Sequence, residues 1–358
     1  MNNVRNVMHG MKEIAGQGYY SVIGLRKNGH NAKLVLREKS KLEYSYDKCI
    51  NVCGNILLPI NLFKLINNFI SCLIKYDTFH FHFGSSLLPK NIDLKILKLF
   101  HKNVYFEFHG SDIRQKSLAC EINPLWSDSL FDDEAVLKKR ANKLAKYARG
   151  FIVHDNELLK YLPESVPAYI VPLRMDLEKI KPCYTTNNDR IKIVHAPSNR
   201  AIKGTKYINE AIKSLSEKYD IDYILIENMT QKEALKQYEK ADIIIDWILG
   251  GIYGVFSIES MALGKPVITY ITDNMKNYYP VELPIISASP VDIQEKLEIL
   301  ITNSKLRNEL GIRGRKYVEK YHDCRKNAQA LWDIYCGNMC TLSGRAAFEY
   351  VNNKQIIN

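Results

Sequence analysis

Short apolar runs alternate with amphipathic stretches along most of the chain, a rhythm clearest between Ile191 and Ile268. There Ile191, Ile193 and Val194 form a strand-like run that gives way to Pro197, Ser198 and Asn199 and then to the helical pattern KGTKYINEAIKSL. IDYILIEN reads as the next strand and TQKEALKQYEKA as an amphipathic helix with Thr230 as its N-cap. DIIIDWI, strongly apolar, is a further strand. After the glycine-rich loop LGGIYG, VFSIESMALGKPVITYI predicts a helix opened by Glu259 and closed by Gly264, then Pro266 and another strand. Strands linked in turn by helices predict an α/β protein with doubly wound parallel sheets, which bind ligands at the carboxyl ends of their strands.

The first half follows the same rhythm. VRNVMHGMKEIAGQGYYSVIGLRKNGHNAKLVL reads as a strand, a loop with Gly16, Gln17 and Gly18, a helix, an Asn28-Gly29 turn and a strand. In KNVYFEFHGSDIR, alternating Val104, Phe106 and Phe108 make a strand whose carboxyl end carries His109, Gly110, Asp112 and Arg114. FHFHFG is another strand end, with His80 and His82 on one face by period two. Residues 148–177 give a strand from Phe151 to Val153, a short helix and a second strand before the polar run KIKPCYTTNNDR. That run is the expected linker, with the boundary near 182–189. A chain of 358 residues exceeds what one core usually serves. We therefore expect a first domain over 1–180, a second over 181–320 and a helical segment over 321–358 that returns to the first.

A net charge of +11 is concentrated in LKKRANKLAKYAR and NIDLKILKLFHKN. In the second, Ile92, Leu94, Ile96, Leu97, Leu99 and Phe100 mix with Lys95, Lys98 and Lys102, which suits either a helix lying on anionic lipid or a solvated helix with a buried stripe. No recognised nucleic-acid-binding module accompanies the charge, so nucleic acid is not an expected partner. There is no apolar run of about 18 residues and no signal-peptide core at the start. A cytoplasmic protein with eight free cysteines is expected, because neither Cys49 with Cys53 nor Cys336 with Cys340 has good zinc or redox spacing.

Two features carry candidate chemistry. Arg200, Lys203, Gly204 and Thr205 stand where a helix begins, so cations, a residue without side-chain bulk and free N–H groups converge on a place suited to an anion. Glu259, one turn into a helix, can accept both hydroxyls of a ribose. Plainer readings are a basic turn for the first and a carboxylate compensating the helix dipole for the second. His109 can hydrogen-bond a sugar hydroxyl, orient a reacting group or serve only structure. His80 and His82 read as packing or acceptor-contact residues, without metal-ligand spacing.

In order and spacing, KIVHAPSNRAIKGTKYINEAIKSL, LGGIYG and SIESMALGKPVI resemble the C-terminal domain of GT-B glycosyltransferases, most closely the family-four retaining enzymes of bacterial surface polysaccharide synthesis. The Gly16–Gln17 loop, FHGSDIR and the VPLRMDL segment resemble the rest of that family's chain. The resemblance implies two Rossmann-like domains facing across a cleft. It implies transfer of a sugar from a nucleoside-diphosphate sugar to a glycan, lipid-carrier-linked, in capsule or O-antigen synthesis, by a hexosyltransferase on the inner face of the cell membrane. Retention would come from front-face attack, the leaving phosphate helping to deprotonate the acceptor. His109, Lys203 and Glu259 would be catalytic. Arg200, Lys203 and Gly204 would hold the diphosphate, Asn228 and Met229 the base, and Tyr253, Gly254, Val255, Phe256 and Ser257 the donor sugar. Glu259 would hold the ribose, Gly16 and Gln17 would lie against the donor phosphates, and His82 and Asp112 would face the acceptor. Neither cofactor nor metal is expected, no Asp-x-Asp element being suitably placed.

The chain departs from the family pattern twice. Gly251 stands where the first Glu of a Glu-x7-Glu element would be, and Arg200 precedes Lys203 by three residues instead of about five. The missing Glu keeps open a non-catalytic partner in a polysaccharide assembly complex. A sugar-nucleotide epimerase or a phosphorylase would share the fold.

Overall fold

The computed structural model describes residues 4–40, 42–52, 54–126, 131–185, 188 and 190–354. Cys53, part of the expected 182–189 linker and the last four residues lie outside the described residues. Among those described, eleven strands form two sheets, and every pairing in them is parallel. Contacts divide the chain into two units: the described residues of Met1–Leu118, Phe131–Asp176 and Asp323–Asn358 form one, and those of Ala119–Leu130 and Leu177–His322 the other.

The first unit holds β1 (Asn6–Met11), β2 (Asn31–Leu36), β3 (Lys48–Cys49), β4 (Thr78–His82), β5 (Asn103–Glu107), β6 (Gly150–Val153) and β7 (Ala168–Ile170). Their order in the sheet is β3-β2-β1-β4-β5-β6-β7, reversing direction at β1. In its register β1 sets His9 against His80 of β4, and β5 sets Glu107 against His82. On one face of β4 and β5, Phe79, Phe81 and Phe106 pack with centroids 5.6–5.9 Å apart. The other face therefore carries His80, His82, Tyr105 and Glu107. Helix Cys324–Cys336 packs on helix Gln17–Lys27, with Val22, Leu25, Ala328, Leu331, Ile334 and Tyr335 in one core cluster. Gly24 permits the approach, since a Cβ there would lie 2.1 Å from the Cys324 carbonyl oxygen.

The second unit holds β8 (Ile191–His195), β9 (Ile221–Leu225), β10 (Ile243–Ile245) and β11 (Val267–Ile268), ordered β11-β10-β8-β9. Isoleucines of β8 and β10 meet Ile208, Ile212 and Leu215 of helix Thr205–Leu215 in its core. Residues from Ala119 to Trp126 belong here and not to the first domain over 1–180 that the sequence suggested. The Asn123 side-chain amide donates to the Leu249 carbonyl over 2.7 Å, and the Trp126 ring stacks on Trp247. Apart from Ala119–Leu130, this unit runs from Leu177 to His322.

Candidate functional site

The second unit gathers polar groups at the carboxyl ends of β8 and β10. The Asn199 side chain caps the short helix Arg200–Lys203 by accepting from Ala201 and Ile202 N–H, and Gly204, at φ +79°, turns the chain directly into helix Thr205–Leu215. A side chain at Gly204 would be strained by that φ, and its Cβ would sit 2.6 Å from Ile248. The turn aims Lys203 at Asp246, just past β10: Nζ donates to Oδ1 over 2.7 Å and lies 4.9 Å from the Trp247 ring centroid. Oδ2 of Asp246 accepts from Ser257 Oγ over 2.7 Å. Arg200 points elsewhere, forming a two-point pair with Glu227 on a surface where it is 59% exposed.

Glu259 lies one turn inside helix Val255–Ala262, which begins four residues earlier than the sequence suggested, with Gly254 as its N-cap and no side chain capping it. Only 6% of Glu259 is exposed, and Oε1 accepts from the Gln231 amide over 2.9 Å. Burial, with Asp246 adding repulsion, pushes its carboxyl up to about 7. Gly251 explains the missing Glu of the family element. Its φ is +75°, and a Cβ there would press within 2.8 Å of Thr272 and 2.9 Å of Asn123. The other residues expected at the donor are differently disposed. Asn228 has φ +56° and Met229 is exposed, whereas Tyr253 is buried with its hydroxyl against Tyr317 and His322.

The first unit has a second cluster, at the carboxyl ends of β1, β4 and β5. Glu107 is fully buried between Arg174, which donates to Oε1, and His80, whose Nε2 lies 3.0 Å from Oε2. His80 Nδ1 meets the Tyr335 hydroxyl at 2.6 Å, and that hydroxyl meets His9 Nε2 at 3.2 Å. His9 Nδ1 meets His82 Nε2 at 3.1 Å, and His82 Nδ1 meets His109 Nε2 at 3.1 Å. Burial is the first cause holding His9, His80 and His82 below the usual histidine range, and it brings His109 and His154 to about 4. Glu107 is held well below the carboxylate range: Arg174 and the neighbouring histidines outweigh its burial. These rings are neutral at pH 7 and the carboxylate is charged.

Several expected contacts are engaged inside this unit. Gln17 is 1% exposed and holds Arg174, accepting from its N–H at 2.9 Å and donating to its carbonyl. The N-terminal amides of Gly18 and Tyr19 are taken by the Glu13 carboxylate, while Gly16 adopts φ +81°. Asp112 accepts from the backbone N–H of His109 and Gly110, both at 2.9 Å, fixing the turn that presents His109; its other oxygen is buried without a hydrogen-bond partner among the described residues. His82 is wholly buried. Arg114 forms a buried two-point pair with Glu157. Sequence reasoning missed Asp246, Gln231, Glu107, Arg174, His9 and Tyr335. A lone charge inside YFEFHG and a lone His inside VMHGM were the available signals, since such groups are rarely buried without partners.

Residues 227–333 match the model of a family described as glycosyl transferase-like. No curated protein matches the sequence. Among solved structures, sucrose-phosphate synthase from Thermosynechococcus elongatus superposes with a TM-score of 0.65 at 14% identity, over 93% of this chain and 99% of that one. HepE from Anabaena, solved with UDP and glucose, gives 0.61 at 10% identity over 93% and 100%. A putative UDP-N-acetylglucosamine 2-epimerase from Listeria monocytogenes gives 0.56 at 10% identity over 96% and 99%. The chain has the GT-B fold of these proteins and, over residues 227–333, is similar to the glycosyl transferase-like family.

Proposed function

We propose that this protein is a glycosyltransferase that takes its sugar from a nucleoside diphosphate donor. One observation carries the reading: Lys203 and Ser257 meet on Asp246 beside the N-terminus of helix Val255–Ala262, which no side chain caps, and Glu259 in the same helix is near enough to Asp246 to feel its charge. Most of that cluster lies in the stretch that matches the glycosyl transferase-like family. A diphosphate would draw on Lys203 and the open N–H groups, and a ribose would hydrogen-bond Glu259. Lys203 would then also stabilise charge building on the leaving phosphate. The acceptor in this reading is a glycan, lipid-carrier-linked, for a surface polysaccharide, and the anomeric configuration is retained without a metal.

Peripheral contact with an anionic membrane belongs to the same reading. Helix Pro59–Lys75 exposes Ile60, Phe63, Ile66, Ile70 and Ile74, and Ile92, Ile96, Leu99 and Phe100 stand exposed at and around helix Asp93–Leu99 beside Lys95, Lys98 and Lys102. One helix leads into β4 and the other leads out of it toward β5. Right-handed crossovers put both on one face of the sheet. Apolar stripes flanked by lysines suit the interface of an anionic bilayer.

Calorimetric titration with uridine, guanosine, adenosine and cytidine diphosphate sugars tests the donor reading, with Glu259→Ala as control. Binding that the variant loses supports it, and silence across the panel overturns it. The second reading is a sugar-nucleotide epimerase, favoured by the fold shared with the Listeria protein. Turnover of the sugar nucleotide to its epimer without an acceptor would select it.

A further inference from the structure

The histidine cluster of the first unit has links that each need one proton. His109 Nε2, His82, His9, the Tyr335 hydroxyl and His80 form a single file that ends at Glu107, with separations of 3.1, 3.1, 3.2, 2.6 and 3.0 Å. For the His82–His109 and His9–His82 links, ring centroids lie 5.3 and 5.4 Å apart with interplanar angles of 22° and 34°. A neutral imidazole has one donor and one acceptor nitrogen, so a proton placed in one link decides the next. With the Tyr335 hydroxyl donating to one neighbour and accepting from the other, two orders satisfy every link between rings. In one, each histidine carries its proton on Nε2, Tyr335 donates to His80 Nδ1, and the His80 Nε2 proton lies beside the Glu107 carboxylate, 3.0 Å from Oε2. In the other, every proton is on Nδ1, and His80 Nε2 is left without a proton 3.0 Å from a buried carboxylate oxygen, whose next nearest ring nitrogen, His82 Nδ1, is 3.7 Å away. The carboxylate cannot donate, so that order leaves an acceptor facing an acceptor.

We propose that Glu107 sets the first order along the whole file, so that His109 donates from Nε2 to His82 and keeps Nδ1 as a hydrogen-bond acceptor for a substrate hydroxyl. His109 alone among these rings is partly exposed, and its Nδ1 has no hydrogen bond among the described residues. The group it takes is an O–H donor, such as a sugar hydroxyl, and not a phosphate or carbonyl oxygen. That assignment rests on the glycosyltransferase reading, whereas the proton order does not. His80, His9, His82, Tyr335 and Glu107 are positioning residues in this scheme. Burial holds all four rings neutral, as the order requires. His82, Glu107 and His109 also offer ligand atoms within 4.8 Å of one another, a set that the zinc measurement below tests, but a metal ion does not suit His9, His80 and His82 together. Although His9, His80 and His82 offer nitrogens within 4.8 Å of one another, the His80 and His82 rings are stacked 4.7 Å apart at 8°, so one ion cannot lie in both ring planes.

Long-range proton–nitrogen correlation spectra of the full chain, labelled with ¹⁵N-histidine, test the order at pH 7.5. The expected spectrum shows His9, His80, His82 and His109 all as the Nε2–H tautomer. A proton on Nδ1 of His109 overturns the proposal, and so does stoichiometric zinc retained by the purified protein with these rings as ligands. Tyr335→Phe keeps the ring's packing and cuts the file between His80 and His9. In that variant His109 is expected to pass from one tautomer to comparable shares of two, and an unchanged tautomer would show that Glu107 does not control it. The wild-type spectrum decides the order even if the variant fails to fold. No substrate enters these measurements, so absence of donor binding sinks the transferase reading alone.

Discussion

The two polar clusters of this molecule are built on opposite principles. In the first unit, Glu107 and the histidines around it are shut from solvent and partnered with one another, and only His109 reaches the surface. In the second, Lys203 is 15% exposed, Arg200 is largely exposed, and the helix N-terminus beside Glu259 has no capping side chain. The first arrangement holds one residue still, whereas the second leaves charges and donors for something to bind. Burial raises the Glu259 carboxyl to about 7 and brings the His109 imidazole down to about 4, so each favours its neutral form. A ligand's hydroxyls can recover the Glu259 charge, while the histidine file functions without charge.

The contrast breaks most directly at Glu107. Glu107→Ala leaves Arg174 buried and unpaired and should lower unfolding stability by about 3–5 kcal/mol, read from urea denaturation. A loss no greater than that of Glu259→Ala would erase the distinction between a closed and an open cluster. Next in size, Lys203→Ala and Glu259→Ala should each weaken donor binding by about 2–3 kcal/mol, with Tm followed alongside because Asp246 loses its cation in the first. Near-normal affinity in both would remove the proposed donor site.

Acidity sharpens the comparison. The depressed histidines of the first unit stay unprotonated when folded, so unfolding takes up protons below pH 6.5, and their contribution to stability is lost as pH falls toward 4. Glu259 has the opposite sign. Its folded value near 7 lies above the unfolded value of 4.5, so stability declines as pH rises between them, by at most about 3 kcal/mol. Glu259→Gln should abolish that decline in a thermal-melting series, and donor affinity should rise through pH 7 in the wild type but stay flat in the variant. Smaller still, Phe63→Asp with Leu99→Asp should reduce co-sedimentation with vesicles containing anionic lipid and leave melting nearly unchanged. Arg200→Ala should leave the urea midpoint nearly unchanged, since its pair with Glu227 is exposed.

The fold was legible because parallel α/β architecture writes itself in local periodicity: β8, β10 and the helix from Thr205 follow directly from apolar spacing and from Gly204. Lys203 was placed for a similar reason, standing next to Gly204 at a helix end, and Glu259 lies in a helix flanked by Gly254 and Gly264. The Glu107 file was not, because its members come from β1, β4, β5, the segment around Arg174 and a helix at Tyr335, which parallel register and long-range helix packing bring together. Residues 119–126 were misplaced on comparable grounds, since the tie from Asn123 to Leu249 spans more than a hundred residues. Helix Pro59–Lys75, which carries the longer exposed apolar stripe, went unread beside the more basic segment around Lys95.

The return of the chain to the first unit at Asp323 bears on how the protein is made. Tyr335 joins His9 to His80, and Gly24 receives the backbone of Cys324, so β1 and β4 wait for residues translated about 250 or more positions after them. The second unit, apart from Ala119–Leu130, is continuous from Leu177 to His322 and has emerged before those residues appear. On the ribosome, the half that begins first therefore finishes last. Its histidine file closes only once Tyr335 has been made, and a message cut short before Tyr335 yields a first unit with its inner polar groups unmatched.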